Sequence, residues 1–301
     1  MNDGLIKRFS LVSRKSVNYF EGWYLRLLDK AQDINLALIF AYTKNKTDPH
    51  AFIQVYEGHH KKNTYYRFPL NDFSFKNNEV KIAENTLSLK GVTLNLKEIH
   101  LEATLDDIIP IKQHSAMGYL KRLPLQCYQE VVFIGATFKG TFNNKAFNGD
   151  AYMEKTYGTK FPKKWFWLQA LEPKEDVRFT LAGGHVPTLF LKPFGFFAIF
   201  QYQDLEVVFA TYNGAKCKVH STEDHHYFTL IKGAYKLTVK AKKRFPVKLV
   251  GPNQHGLMNL DVYEDLYTDI TLTMYQNKEI LVEVNHPYAG FEWMLDQRYK
   301  N

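Results

Sequence analysis

Two glutamates sit inside aromatic hexapeptides, Tyr19-Phe20-Glu21-Gly22-Trp23-Tyr24 and Tyr152-Met153-Glu154-Lys155-Thr156-Tyr157, so both segments read Tyr-x-Glu-x-x-Tyr. Side chains alternate between the faces of an extended strand. Tyr19, Glu21 and Trp23 therefore share one face, with Phe20 and Tyr24 on the other, and Tyr152, Glu154 and Thr156 share a face in the second copy. A carboxyl group walled by rings loses hydration, which penalises its charged form and lets it stay protonated near neutrality. Ring faces stabilise a cation by about 0.5–2 kcal/mol each when desolvated. An acid in an aromatic box is what protonation of an alkene and capture of the carbocation require. Downstream, Trp165, Trp167 and Gln169 alternate with Phe166 and Leu168, placing two indoles and an amide on one face. The plainer reading makes the rings core residues. On that reading each glutamate is a paired carboxylate that holds a loop, with Lys155 or Arg26 as its cation.

The remaining reactive residues offer less. The pairs His59-His60 and His225-His226 are not metal motifs, because neighbours on a regular strand point to opposite faces and cannot chelate one ion. Both pairs lie beside expected turns and read as solvated. His185 and His255 are candidates for a cavity mouth. Cys127 and Cys217 lack Cys-x-x-Cys spacing and read as core filler rather than a disulfide, zinc or redox motif. No phosphate-binding glycine loop, Gly-x-Ser-x-Gly or His-Glu-x-x-His occurs, so dinucleotide, nucleotide, α/β-hydrolase and zincin readings have no motif support.

The elements that must position these residues read as strands. Aromatic residues make up 15% of the chain, and period-two alternation recurs, as in Val92, Leu94, Leu96 and in Tyr235, Leu237, Val239. Turn residues punctuate the chain at 44–49, 58–63, 77–78, 143–149, 213–215 and 251–256. The best helical candidate is Lys112 to Arg122, ending before Pro124. The 301 residues suit one large domain or two ordinary ones. The repeated hexapeptide, each copy followed by an apolar strand (Leu36 to Tyr42, Trp165 to Leu171), suggests two similar β domains, 1–148 and 149–301. The net charge of +8 is spread out, with clusters at Lys160 to Lys164 and Lys240 to Lys248 that carry no nucleic-acid signature. They read as solvated faces, with contact to an anionic membrane surface as a second use. The longest apolar runs, Ile34 to Tyr42 and Thr188 to Tyr202, are short or interrupted, and Met1 to Ser10 has no apolar stretch behind it. The expected location is cytoplasmic, with peripheral membrane contact.

At this point the residues resemble the tocopherol cyclase family, related to the carotenoid hydratases. The resemblance rests on Tyr19 to Tyr24, on Met153-Glu154-Lys155 through Gly158, on Phe161-Pro162-Lys163-Lys164-Trp165-Phe166-Trp167-Leu168-Gln169 and on Ala182-Gly183-Gly184, and extends from about Asn18 to Trp293. It implies an all-β chain of two lipocalin-like antiparallel barrels or half-barrels packed together, with few short helices and a ligand cavity lined by the matched aromatics. It also implies ring closure of a prenylated quinol or another polyene lipophile without a redox cofactor or metal, by protonation of a prenyl double bond and capture of the cation by the phenolic oxygen. Glu154 or Glu21 would donate the proton. Trp23, Tyr24, Tyr157, Trp165 and Trp167 would shape the box, and Gln169 or Tyr152 would orient the polar head. The chain departs from the family pattern at Thr156-Tyr157, Ala170-Leu171 and Ala289-Gly290, which leaves the substrate open. The alternative is a non-catalytic, lipocalin-like carrier of a hydrophobic small molecule; nucleic acid is not an expected partner.

Overall fold

The computed structural model describes residues 3–12, 17–185 and 194–295. The chain is mostly β, with one sheet curled into a half-barrel and the other into a nearly closed barrel. It divides into two compact units. The first comprises Met1–Ser115, Gln126–Phe161 and Leu249–Asp261, and the second Ala116–Leu125, Pro162–Lys248 and Val262–Asn301.

A short helix, α1 (Asp3–Phe9), precedes eleven strands of one antiparallel sheet. They are β1 (Phe20–Asp29), β2 (Ile34–Thr43), β3 (His50–Glu57), β4 (Lys62–Phe68), β5 (Phe73–Lys76), β6 (Glu79–Ile82), β7 (Asn85–Ser88), β8 (Gly91–Asn95), β9 (His100–Ile109), β10 (Cys127–Phe142) and β11 (Lys145–Gly158). Their order is β4-β3-β2-β1-β11-β10-β9-β8-β7-β6-β5, so the closing strand β11 pairs with β1. The two Tyr-x-Glu-x-x-Tyr segments are thereby neighbours in one sheet.

Aromatic packing shows the curl. β5 ends the sheet, seven strands from β1 in the pairing order, yet its Phe75 stacks on Trp23 of β1 at 5.9 Å and its Phe73 meets Tyr42 of β2 at 4.3 Å. Helix α1 fills the hollow: Leu5, Arg8 and Phe9 are buried, Phe9 lies 6.0 Å from Trp23, and the Trp23 indole N–H donates to the Phe9 carbonyl at 2.8 Å. Burying such rings supplies much of the core energy of a β domain. The strands near the motif, β1 to β3, are buried on both faces, whereas β9 alternates buried and exposed residues as a half-solvated strand does.

The other sheet contains β12 (Trp165–Glu172), β13 (Val177–His185), β14 (Phe194–Tyr202), β15 (Leu205–Ala210), β16 (Lys216–Ser221), β17 (His225–Lys232), β18 (Tyr235–Lys242), β19 (Val247–Pro252), β20 (Met258–Gln276) and β21 (Glu279–Trp293). Its order is β15-β14-β13-β12-β21-β20-β18-β17-β16, with β19 attached to β20. Its core gathers Phe166, Leu168, Phe179, Leu181, Phe228 and Trp293 from strands around the sheet.

The helix expected over Lys112 to Arg122 is replaced by a single 3-10 turn, Gly118–Arg122. Gly118 has a φ of +54°, outside the right-handed helical region, and interrupts the segment where the helix would have run. The apolar run expected from Thr188 to Tyr202 lies in β14 from Phe194 onward, and its first six residues fall outside the described ones. Among the described residues, no helix is long and apolar enough to cross a membrane.

Candidate functional site

Strand register decides which candidate residues meet. In the β1–β11 pair, Glu21 opposes Tyr157 and Trp23 opposes Lys155, while Gly22 opposes Thr156 and Tyr24 opposes Glu154. Opposed residues in an antiparallel pair point to the same face. Glu21, Trp23, Lys155 and Tyr157 therefore occupy the concave face, over α1, and Tyr24, Tyr152 and Glu154 occupy the opposite one. The two glutamates lie on adjacent strands but back to back.

Glu21 is completely buried and its carboxylate collects four donors. Oε1 accepts from the Lys155 ammonium at 3.1 Å and from the Val12 backbone N–H at 2.9 Å; Oε2 accepts from Tyr19 at 3.0 Å and Tyr42 at 3.3 Å. An ammonium and a backbone N–H only donate, so this nest fits an anion. Burial, and then the charge of Glu21, raise the Tyr42 phenol above its usual range and keep its proton on. Lys155 is 1% exposed, also donates to the Ser10 carbonyl, and lies 5.6 Å over the Trp23 ring and 5.4 Å from that of Tyr157. The cluster ties α1 and its exit segment to the sheet.

Glu154 is 7% exposed and differently held. Its Oε2 accepts from the Tyr152 hydroxyl at 2.7 Å and its Oε1 from the Gln129 side-chain amide at 2.8 Å. A hydroxyl donates or accepts, and an amide presents either end by flipping, so these two partners serve the carboxyl in either protonation state. Gln129 comes from β10, where it opposes Thr156 of β11. Burial and, second, the Glu154 charge push the neighbouring Cys127 thiol up to about 12, so it stays protonated. Arg26, buried on the same face, gives its Nε–H to Asn35 at 3.1 Å.

Trp165, Trp167 and Gln169 share a face of β12 in the second unit, turned away from the core side that holds Phe166 and Leu168. Cross-strand partners extend that face: Trp167 opposes Glu292, Gln169 opposes Thr180, and Glu292 opposes Glu264. The Trp165 indole N–H donates to Glu292 at 2.6 Å, and Glu264 is fully buried. Like charges placed directly opposite are unfavourable unless other groups offset them. Sequence reasoning missed Gln129, Glu264 and Glu292. They carry no local motif and become visible only through the pairing of β10, β20 and β21.

The other expectations sort simply. Both cysteines are free, and burial also pushes Cys217 up to about 12. His225 and His226 begin a regular strand, and His226 is buried, stacked on Trp293 at 3.7 Å and hydrogen-bonded to Ser221 at 2.7 Å. His59 and His60 do not lie on a strand. They form a 3-10 turn, Gly58–His60, that brings their ring centres within 4.1 Å, so the opposite-face argument does not govern them. His185 ends β13 beside Phe194, and the His255 carbonyl accepts from Asn45.

The model of the tocopherol cyclase-like family matches residues 109–293, well over half of the sequence. The chain belongs to that family. The tocopherol cyclase-like segment spans β10 to β21 and therefore includes Glu154, Tyr152, Gln129 and the β12 face. Two solved structures share the fold of the whole chain. Kievitone hydratase from Nectria haematococca is 11% identical with a TM-score of 0.53, over 91% of this chain and 88% of its own. A protein designated AttH from Nitrosomonas europaea is 10% identical with a TM-score of 0.50, over 92% and 93%. Comparison with curated proteins gave no match. The chain thus combines membership of the tocopherol cyclase-like family with a fold shared with these two solved structures.

Proposed function

We propose that the protein is a cofactor-independent cyclase or isomerase that protonates an alkene of a prenylated quinol or another polyene lipophile, with Glu154 as the proton donor. One observation carries the choice of acid: the Glu154 carboxyl is buried against Tyr152 and Gln129, partners that accommodate the protonated and the ionised form alike. Glu21, anchored by the Lys155 ammonium, acts as a structural anion. Glu154 gives its proton to the less substituted carbon of the alkene, leaving the cation on the more substituted one. Tyr24 and Tyr152 on its face supply ring surfaces that stabilise positive charge. The substrate's own hydroxyl oxygen then attacks the cation, closes the ring and releases its proton, which returns to the Glu154 carboxylate.

The test is turnover of a panel of prenylated quinols by Glu154→Gln and Glu21→Gln, read by chromatographic retention and ultraviolet spectrum because ring closure leaves the mass unchanged. A general acid is typically worth ~10²- to 10⁴-fold, so Glu154→Gln loses rate by that factor and keeps ligand binding. Full activity of Glu154→Gln removes the assignment. Saturable binding with no product in the wild type replaces it with the carrier reading.

A further inference from the structure

The 3-10 turn that links β3 to β4 gathers Glu57, His59 and His60, and each offers one ligand atom within 4.8 Å of the other two. Three features of this cluster call for a cation. Glu57 is a buried residue, 6% exposed, and the lysine opposite it in the β3–β4 register, Lys62, gives its ammonium to Glu98 at 2.9 Å instead. No salt bridge reaches Glu57 among the described residues. A buried carboxylate in that position is costly unless a positive charge offsets it. The His59 ring hydrogen-bonds the backbone of Asn35 on β2, and its Nδ1 is buried with no hydrogen-bond partner. That arrangement, one ring nitrogen fixed by backbone and the other left with a bare lone pair, is the one metal-bound histidines adopt. Asp33, in the turn before β2, acts on His59 electrostatically and adds negative charge nearby.

We infer that Glu57, His59 and His60 form a binding site for a borderline divalent cation such as Zn²⁺. Two imidazoles and a carboxylate match the ligand preferences of that ion, and three protein ligands leave a fourth, solvent-facing position beside the exposed His60. Zinc bonds of about 2.0–2.1 Å place tetrahedral ligands about 3.4 Å apart, so side-chain rotations of roughly 1 Å complete the site. The short turn does the work: a regular strand would have sent His59 and His60 to opposite faces. The bound ion would cross-link the β3–β4 turn to the start of β2 through the His59–Asn35 contact.

The experiment is titration of the full-length, chelator-treated protein with Zn²⁺ alone, followed by calorimetry, and with Co²⁺ alone, followed by its visible absorption. The wild type binds one Zn²⁺ per chain, and Co²⁺ gives the intense visible bands of a four-coordinate site. His60→Ala, an exposed position that leaves the fold intact, and Glu57→Gln each weaken binding by roughly tenfold or more. His225→Ala, in the other histidine pair, leaves it unchanged. Absence of saturable binding, wild-type affinity in both His60→Ala and Glu57→Gln, or loss of binding in His225→Ala overturns the inference.

Discussion

Replacing Lys155 by Met tests what holds Glu21. The substitution keeps the length of the side chain and removes the charge that faces a fully buried carboxylate at 3.1 Å. At that separation and an effective dielectric of about 20, the lost attraction is about 5 kcal/mol. Removing one member of a buried pair typically costs about 3–5 kcal/mol, because the partner's charge is left uncompensated. Val12, Tyr19 and Tyr42 still donate to Glu21 in the variant, which places the expected loss in the lower part of that range. Against a total stability of about 5–15 kcal/mol, such a loss brings the domain close to its threshold. Urea denaturation followed by tryptophan fluorescence measures it, Trp23 being a reporter within the cluster. Glu21→Gln combined with Lys155→Met removes both charges and should be more stable than Lys155→Met alone. A Lys155→Met variant within about 1 kcal/mol of the wild type, with an unchanged denaturant slope, would refute the reasoning.

Further outcomes follow from the same structure. Cys127 and Cys217 should resist thiol reagents at pH 7.5 in the native protein and react rapidly in denaturant, since burial pushes both up to about 12; fast native labelling of either contradicts this. Burial depresses the His50 imidazole, so as pH falls below about 6.5 the unfolded chain takes up its proton first and stability declines towards the lower folded value. His50→Gln should flatten the stability profile between pH 7 and 5, and an unchanged slope in thermal melts opposes it. Gly140 packs where a Cβ would collide with the Glu102 carbonyl of β9, so Gly140→Ala should destabilise by about 1–3 kcal/mol or more in urea melts.

The β architecture was legible because burial follows the sequence alternation: Val92, Leu94 and Leu96 are buried, and Leu237 and Val239 point into the core between surface lysines. The segment from Lys112 to Arg122 misled because Gly118 adopts a left-handed conformation, which composition around it did not announce. Helix α1 has only seven residues, too few for a periodic signal, and draws its stability from tertiary burial of Leu5 and Phe9. At the site, the motif identified both glutamates and offered Lys155 as a partner for one of them. Their separation onto opposite faces was hidden, because it follows from a register that sets Glu21 against Tyr157 and Tyr24 against Glu154 across more than a hundred residues of chain. The same long-range pairing concealed Gln129, Glu264 and Glu292. The His59-His60 pair falls in the turn expected over 58–63; what alternation could not show is that the 3-10 backbone there brings the two rings together.

The central claim is that Glu154 delivers a proton to carbon, and turnover in deuterium oxide tests it most directly. A substrate turned over by the wild type should gain one non-exchangeable deuterium at the former alkene, seen as one mass unit in the cyclised product, and Glu154→Gln should form that labelled product ~10²- to 10⁴-fold more slowly while Glu21→Gln, where it folds, forms it at the wild-type rate. Formation of the deuterated product by Glu154→Gln at the wild-type rate would contradict the account.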